Sequence, residues 1–298
     1  MQSLFEKIKE LEPKLNGKQR VLAQYILSNS DKISFQNLVD IAKETGTSEA
    51  TMVRFAKTLG YKGFIELKDD FQKLLLRRLS PLERFDITVG PSNDRNNVIF
   101  RVFEKEIQNI TEARKKLEMK KIQKIAHLVI KARRKYIVGL RASEGCAFLL
   151  GHFLSHVLPD IFTLTNGDTS LFEGIKDIKK EDIMIAISFP RYSKPTIDAL
   201  LMAKKHGTPT ISITDFELSP VSQISDFHVI APAASESFLN SYTACISIIN
   251  ILITTIITYI DRNKTEAMLK KLDKALAGLD FFYKESSFSS TMSGRRGE

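Results

Sequence analysis

Ile41-Ala42-Lys43-Glu44-Thr45-Gly46-Thr47-Ser48-Glu49-Ala50-Thr51-Met52-Val53-Arg54-Phe55-Ala56-Lys57-Thr58-Leu59-Gly60 reads as two short helices joined by a sharp turn. Ala42 is small enough for a second helix to cross close above it. Gly46 can take the left-handed conformation that ends the first helix. Ser48 stands where an N-cap hydroxyl accepts from an orphan amide two or three residues on. Met52, Phe55 and Leu59 fall at i, i+3 and i+7, one inward stripe, which leaves Glu49, Ala50, Arg54 and Lys57 to face outward. A turn this tight presents the start of the second helix to a partner, as helix-turn-helix DNA readers do. An ordinary helical hairpin would share the spacing. The flank Tyr61-Lys62-Gly63-Phe64, a basic residue with small pivots where a phosphate backbone would pass, tips the reading towards DNA.

Outward from this stretch, the N-terminal part is helical throughout. Residues 1 to 15 place Leu4, Ile8, Leu11 and Leu15 on one face, Asn16-Gly17 breaks the pattern, and Val21, Leu22, Tyr25 and Ile26 resume it to Asn29. Phe35 to Lys43 is the first motif helix, and a further helix from Gly63 to Arg78 closes the module, stopped by Ser80-Pro81. Asp86 to Asn97, with Gly90-Pro91, reads as a linker. Helical periodicity returns over Val98 to Lys116 and Met119 to Ala132. The cluster Lys131, Arg133, Arg134 and Lys135 is a solvated helix end or, on the sharper reading, a DNA contact.

At Tyr136 the pattern changes. Tyr136 to Gly139, Ile161 to Leu164, Asp182 to Ser188, Pro209 to Thr214 and Phe227 to Ala231 are short apolar runs of the buried-strand kind. They alternate with helices over Gly145 to Leu158, Thr196 to His206 and Ala244 to Ile260. That alternation predicts a parallel sheet with helices on both faces, whose ligands collect at the carboxyl ends of the strands. Two loops lie there. Gly139-Leu140-Arg141-Ala142-Ser143-Glu144-Gly145 follows the first strand, and Ser188-Phe189-Pro190-Arg191-Tyr192-Ser193-Lys194 the third. Each carries a serine near a helix start, where free amides favour anions, and one arginine able to grip a phosphate or carboxylate through paired bonds. The bland alternative makes the serines caps and the arginines surface residues. The recurrence of one recipe in both loops favours a bound anion.

A length of 298 residues with 43% hydrophobic and 27% charged content predicts two packed domains. The net charge of +9 permits a nucleic-acid partner without demanding one. Cys146 and Cys245 show no paired spacing, so neither a disulfide framework nor a zinc site is indicated, and no metal or cofactor is expected. Met1 to Glu12 carries no apolar run of the secretory kind, and the polar residues within Ala244 to Ile260 argue for a buried or interface helix rather than a membrane span. A bacterial cytoplasm is the simplest compartment.

These residues resemble the RpiR/MurR family of bacterial transcription regulators over nearly the whole chain. Gly46 to Phe55 and Leu59-Gly60-Tyr61-Lys62-Gly63-Phe64 carry the resemblance in the N-terminal part. Ile185-Ala186-Ile187-Ser188, Ile211-Ser212-Ile213-Thr214-Asp215, Leu218-Ser219-Pro220, Asp226 and Pro232 carry it in the C-terminal part. The resemblance implies a helix-turn-helix domain (residues 1–79), a linker (80–105), an α/β three-layer sugar isomerase (SIS) domain around a parallel five-stranded sheet (106–284) and a mobile tail (285–298). It implies a regulator of a carbohydrate-metabolism operon whose SIS domain senses a phosphosugar or sugar-acid anion. Two-fold operators call for a homodimer or homotetramer, and the helix from Ala244 to Ile260 is a candidate interface.

The expected DNA contacts are Ser48, Glu49, Ala50, Thr51, Arg54, Lys57 and Lys62, with Arg54 the base reader. Ser143, Ser188 and Ser193 correspond to the family's phosphate binders, and Gly139, Tyr192 and Lys194 complete the loops. In the first loop Arg141 stands where many SIS domains have a second glycine. In the second, Pro190, Arg191 and Ser193 replace Ser, Gly and Thr. Arg141 and Arg191 are expected to add a second anionic contact. Glu236 lies near where SIS isomerases place a catalytic glutamate; with no acid-base partner visible it is expected to bind rather than turn over ligand. The rival reading is a sugar-phosphate isomerase with an accessory helical domain.

Overall fold

Apolar residues at helical period in the first third of the chain, and in short runs beyond it, build two cores of different kinds. The computed structural model describes residue 8, residues 10–29, 38–68, 82, 84–85 and 97–277. The first core joins α1 (Gly17–Ser28), α2 (Leu38–Thr45) and α3 (Glu49–Thr58) through Leu22, Ile26, Ile41, Met52 and Phe55, each fully buried. Phe64 and Leu67 close it from the turn beyond α3. The expected helix over residues 1–15 is described only in part, and the expected helix from Gly63 only to residue 68. Most of the expected linker, and the tail, lie outside the described residues.

The second unit opens with α4 (Val98–Lys116) and α5 (Met119–Lys131). The start of α4 falls within the stretch assigned to linker. The strands β1 (Lys135–Gly139), β2 (Ile161–Leu164), β3 (Ile183–Ile187), β4 (Thr210–Thr214) and β5 (Phe227–Ile230) pair in the order β2-β1-β3-β4-β5. All neighbours are parallel. The central strands β1, β3 and β4 are buried at every position, as near-continuous apolar runs covered on both faces should be, and the edge strands β2 and β5 are half-open.

Helices fill the connections: α6 (Glu144–Ser155), α7 (Thr169–Ile175), α8 (Lys194–Lys205), α9 (Pro220–Ile224), α10 (Thr243–Tyr259) and α11 (Arg262–Leu276). On one face α6 packs with α5 and α10 over Ile137, Ile185, Ile187 and Ile213. On the other, α7, α8 and α9 cover Tyr136, Val138, Met184 and Ala186. The helices after β1 and β3 thus leave on opposite faces of two hydrogen-bonded strands, which opens a crevice at their carboxyl ends.

Two residues of the basic cluster, Arg133 and Lys135, have structural partners. Arg133 grips the buried Asp182 carboxylate with two bonds of 2.8 Å, and the Lys135 amine donates to the Pro159 carbonyl at 3.2 Å. Burial of Asp182 opposes its charge, but the Arg133 guanidinium and the amides of Lys179 and Arg134 outweigh it and hold the carboxyl below its ordinary range. Burial likewise lowers Lys135. The helix read as a subunit interface, α10, sends Ala244, Cys245, Ile248, Ile249, Leu252, Ile253 and Ile256 into the core, as a helix apolar nearly all round should. Ile251, Ile257 and Tyr259 remain partly exposed. Among the described residues no helix is long and apolar enough to cross a membrane.

Candidate functional site

The start of α3 is fixed by its own side chains. Ser48 Oγ accepts from the Thr51 amide at 3.3 Å, and Gly46 turns the chain with φ of +60°. Met52, Phe55 and Leu59 point into the core; Ser48, Glu49, Ala50, Arg54, Lys57 and Lys62 are exposed. Thr51 is turned inward at 7% exposure, its hydroxyl 3.0 Å from that of Ser48. The Tyr25 hydroxyl bonds Glu44 and ties α1 to α2. Thr51 and Arg54 share a concavity of about 400 Å³ with Asn16, Gly17, Lys18 and Gln19 at the start of α1. Asn16, legible in the sequence only as a break, caps that helix by accepting from the Gln19 amide at 3.0 Å. The concavity therefore offers helix-start amides and two cations to one partner.

At the crevice between β1 and β3 lies a cavity of about 370 Å³. It brings together Arg141, Ser143, Ser188, Arg191 and Ser193 from the two predicted loops. Ser143 and Ser188 are buried, and neither Arg141 nor Arg191 forms an ion pair among the described residues. Ser143 and Ser193 occupy the N-cap positions of α6 and α8, yet neither hydroxyl caps its helix. Elsewhere Ser48, Asp168 and Ser219 in the same position do bond their helix amides. The Ser193 hydroxyl and two helix starts without a side-chain cap thus face one cavity, with Ser143 held to Tyr242 beside them.

Arg141 adopts φ of +57°, in the left-handed region that glycine favours. A bulky residue there is strained, and such strain gathers at binding sites. Gly139 serves the turn itself: a Cβ on it would stand 2.6 Å from Ala147 Cβ and 2.7 Å from the Ser143 carbonyl oxygen. It does not line the cavity.

Residues 2–75 match the family model described as the helix-turn-helix domain of the rpiR family, and residues 128–255 match the SIS domain. The chain belongs to the RpiR family. An HTH-type transcriptional regulator of Clostridium perfringens is 24% identical over 274 residues, covering 90% of this chain and 96% of that protein. YbbH, an HTH-type transcriptional regulator of Bacillus subtilis, is 27% identical over 236 residues, covering 78% and 81%. The sugar isomerase domain of an RpiR transcription factor from Sphaerobacter thermophilus superposes with a TM-score of 0.58 at 26% identity. It covers 60% of this chain and 99% of that one. The Vibrio vulnificus NanR protein complexed with ManNAc-6P superposes with a TM-score of 0.55 at 21% identity, over 94% of this chain and 100% of that one, a likeness of fold. The chain is accordingly an HTH-type transcriptional regulator with a SIS domain, as the two relatives from Clostridium perfringens and Bacillus subtilis are named.

Within this RpiR-family frame, three further predicted ligand residues lie off the cavity wall. Tyr192 turns away and donates to Asp215 Oδ1 at 2.7 Å. Lys194 pairs along its own helix with Asp198 at 2.5 Å. Glu236 is drawn to α4, where Arg101 Nε lies at 3.3 Å and Lys105 Nζ at 3.9 Å. Two cations distant in sequence take the glutamate, which proximity to a family position did not reveal. In its place the wall is completed by Phe238, Leu239, Asn240, Tyr242 and Arg84. Tyr242 stacks edge-on to Phe189 at 5.1 Å. Burial raises its hydroxyl above the ordinary phenol range, against the pull of hydrogen bonds with Ser143 and Asn240. It is therefore a neutral donor at physiological pH. Among the described residues of the lining there is no carboxylate and no histidine.

Proposed function

We propose that this regulator senses a small sugar-type molecule bearing two anionic groups, a sugar acid, its phosphate or a comparable phosphosugar, in the cavity between β1 and β3. The observation that carries the reading is the pair of N-cap serines, Ser143 and Ser193, whose hydroxyls leave their helices uncapped beside Arg141 and Arg191. One anionic group would sit on the serines and helix starts, the other on the arginines, whose planar donors suit carboxylate or phosphate. A volume of about 370 Å³ admits a monosaccharide derivative. NanR, which shares the fold, is complexed with ManNAc-6P. With no carboxylate or histidine among the described residues of the wall, the site is suited to holding a ligand, not to enolising one.

At the other end, α3 enters the major groove of an operator beside carbohydrate-metabolism genes, in the bacterial cytoplasm. Arg54 reads a base edge, Ser48, Glu49 and Ala50 border it, and Lys57, Lys62 and Lys18 meet phosphates. Two copies bind a two-fold site. The exposed Ile99, Phe100, Phe103 and Ile107 on α4 supply an apolar face for that pairing. The ligand alters operator occupancy by binding the DNA-competent and incompetent arrangements unequally. Calorimetric titration of the full chain with 6-phosphogluconate, glucose 6-phosphate, gluconate and inorganic phosphate tests the site. Binding that Arg141→Ala and Arg191→Ala each weaken is expected; affinity unchanged in both variants rejects the reading.

A further inference from the structure

The cavity has a third arginine, and it does not come from the SIS domain. Arg84 lies between the two matched segments, 2–75 and 128–255, and lines the same cavity as Arg141 and Arg191. Its Nη1 donates to Asn240 Oδ1 at 2.9 Å. The amide of Asn240 in turn donates to the Pro190 carbonyl at 2.6 Å, one residue from Arg191. Beside it, Phe85 packs edge-on against Phe238, also on the wall, with ring centroids 6.1 Å apart at 68°. Two adjacent residues of the interdomain segment are thus fastened to two residues of the cavity wall.

We infer that Arg84 is a ligand-binding arm delivered by the interdomain segment, and that cavity occupancy reaches the DNA-reading helices through it. The inference rests on the anion-site reading above. The guanidinium carries five N–H donors, one of which Asn240 engages, and a bound anion offers it full charge where the amide offers only a dipole. An anion already gripped by Arg141 and Arg191 stands within the same wall and draws Arg84 off Asn240. Phe85 adjoins Arg84 in the chain, so a backbone adjustment that follows the guanidinium carries the Phe85–Phe238 contact with it. Arg84 and Phe85 therefore have one arrangement with the cavity empty and another with it filled, the condition a coupled equilibrium requires.

The chain contains no tryptophan, so Phe85→Trp provides a single fluorophore at this contact. In the full-length protein, 6-phosphogluconate, glucose 6-phosphate, gluconate and inorganic phosphate are titrated while Trp emission and binding heat are read in parallel. The expected result is an emission shift whose midpoint matches the calorimetric one. Arg84→Ala should weaken binding about tenfold. In the Arg84→Ala, Phe85→Trp double variant, emission should stay flat as the cavity fills. Unchanged melting of the variants guards against misfolding. If Arg141→Ala and Arg191→Ala lose the ligand while Arg84→Ala keeps full affinity, or emission stays still at saturation with Arg84 intact, this inference falls and the anion site stands. If none of the four probes binds the native chain, both fall together.

Discussion

Ser48 and Ser193 hold the same position, the residue before a helix, and do opposite things. Ser48 turns its hydroxyl back to the Thr51 amide and is spent on its own helix. Ser193 leaves the start of α8 uncapped and lines a cavity. The reading helix is finished locally so that its outer side chains are the only variable surface; the sheet's loops are left unfinished so that a ligand completes them. A residue type at a helix start is thus ambiguous until its hydrogen bond is known.

The comparison can be broken at several points. Losing both arginines, in Arg141→Ala with Arg191→Ala, should reduce anion affinity at least a hundredfold by calorimetry, at two charged hydrogen-bonding sites each worth about tenfold. At the DNA end, Arg54→Ala should cost about 1–3 kcal/mol and relax preference at one base pair. Lys62→Ala should instead weaken all duplexes alike and lower the salt slope by about one, seen in competitive mobility shifts. Ser48→Ala should destabilise the helical domain by about 1 kcal/mol in a denaturant melt. Ser193→Ala should leave the melt within about 0.5 kcal/mol and weaken the ligand instead; equal losses of stability in both would erase the contrast. Opposite in sign, Arg141→Gly should relieve the left-handed strain and stabilise by about 1 kcal/mol while reducing anion affinity.

What the sequence made legible follows the range of the interactions. The inward stripe Met52, Phe55, Leu59, the turn at Gly46 and the Ser48 cap are settled within a few residues, and each stands as read. The five strands and their parallel sense follow from short apolar runs alternating with helices, whereas their order in the sheet does not. The helix Thr169–Ile175 is too short to show periodicity, and Pro220–Ile224 shorter still. The cavity is half legible because only two of its sides are strand-end loops. Its remaining wall, Phe238 to Tyr242 with Arg84, is assembled across more than a hundred positions by the Arg84–Asn240 bond. Glu236 and Tyr192 were assigned by their neighbourhood in sequence, whereas Arg101 and Asp215 take them in space.

The opposite exits of α6 and α8 carry a mechanical consequence. The loop bearing Arg141 is rooted in one helical layer and the loop bearing Arg191 in the other. A molecule clasped by both acts as a rivet through the three layers, resisting their shear, and it must be torn out before either layer can peel from the sheet. Heat resistance should then climb with the logarithm of effector concentration, so a simple melting screen of metabolites could reveal the effector without any knowledge of the operator.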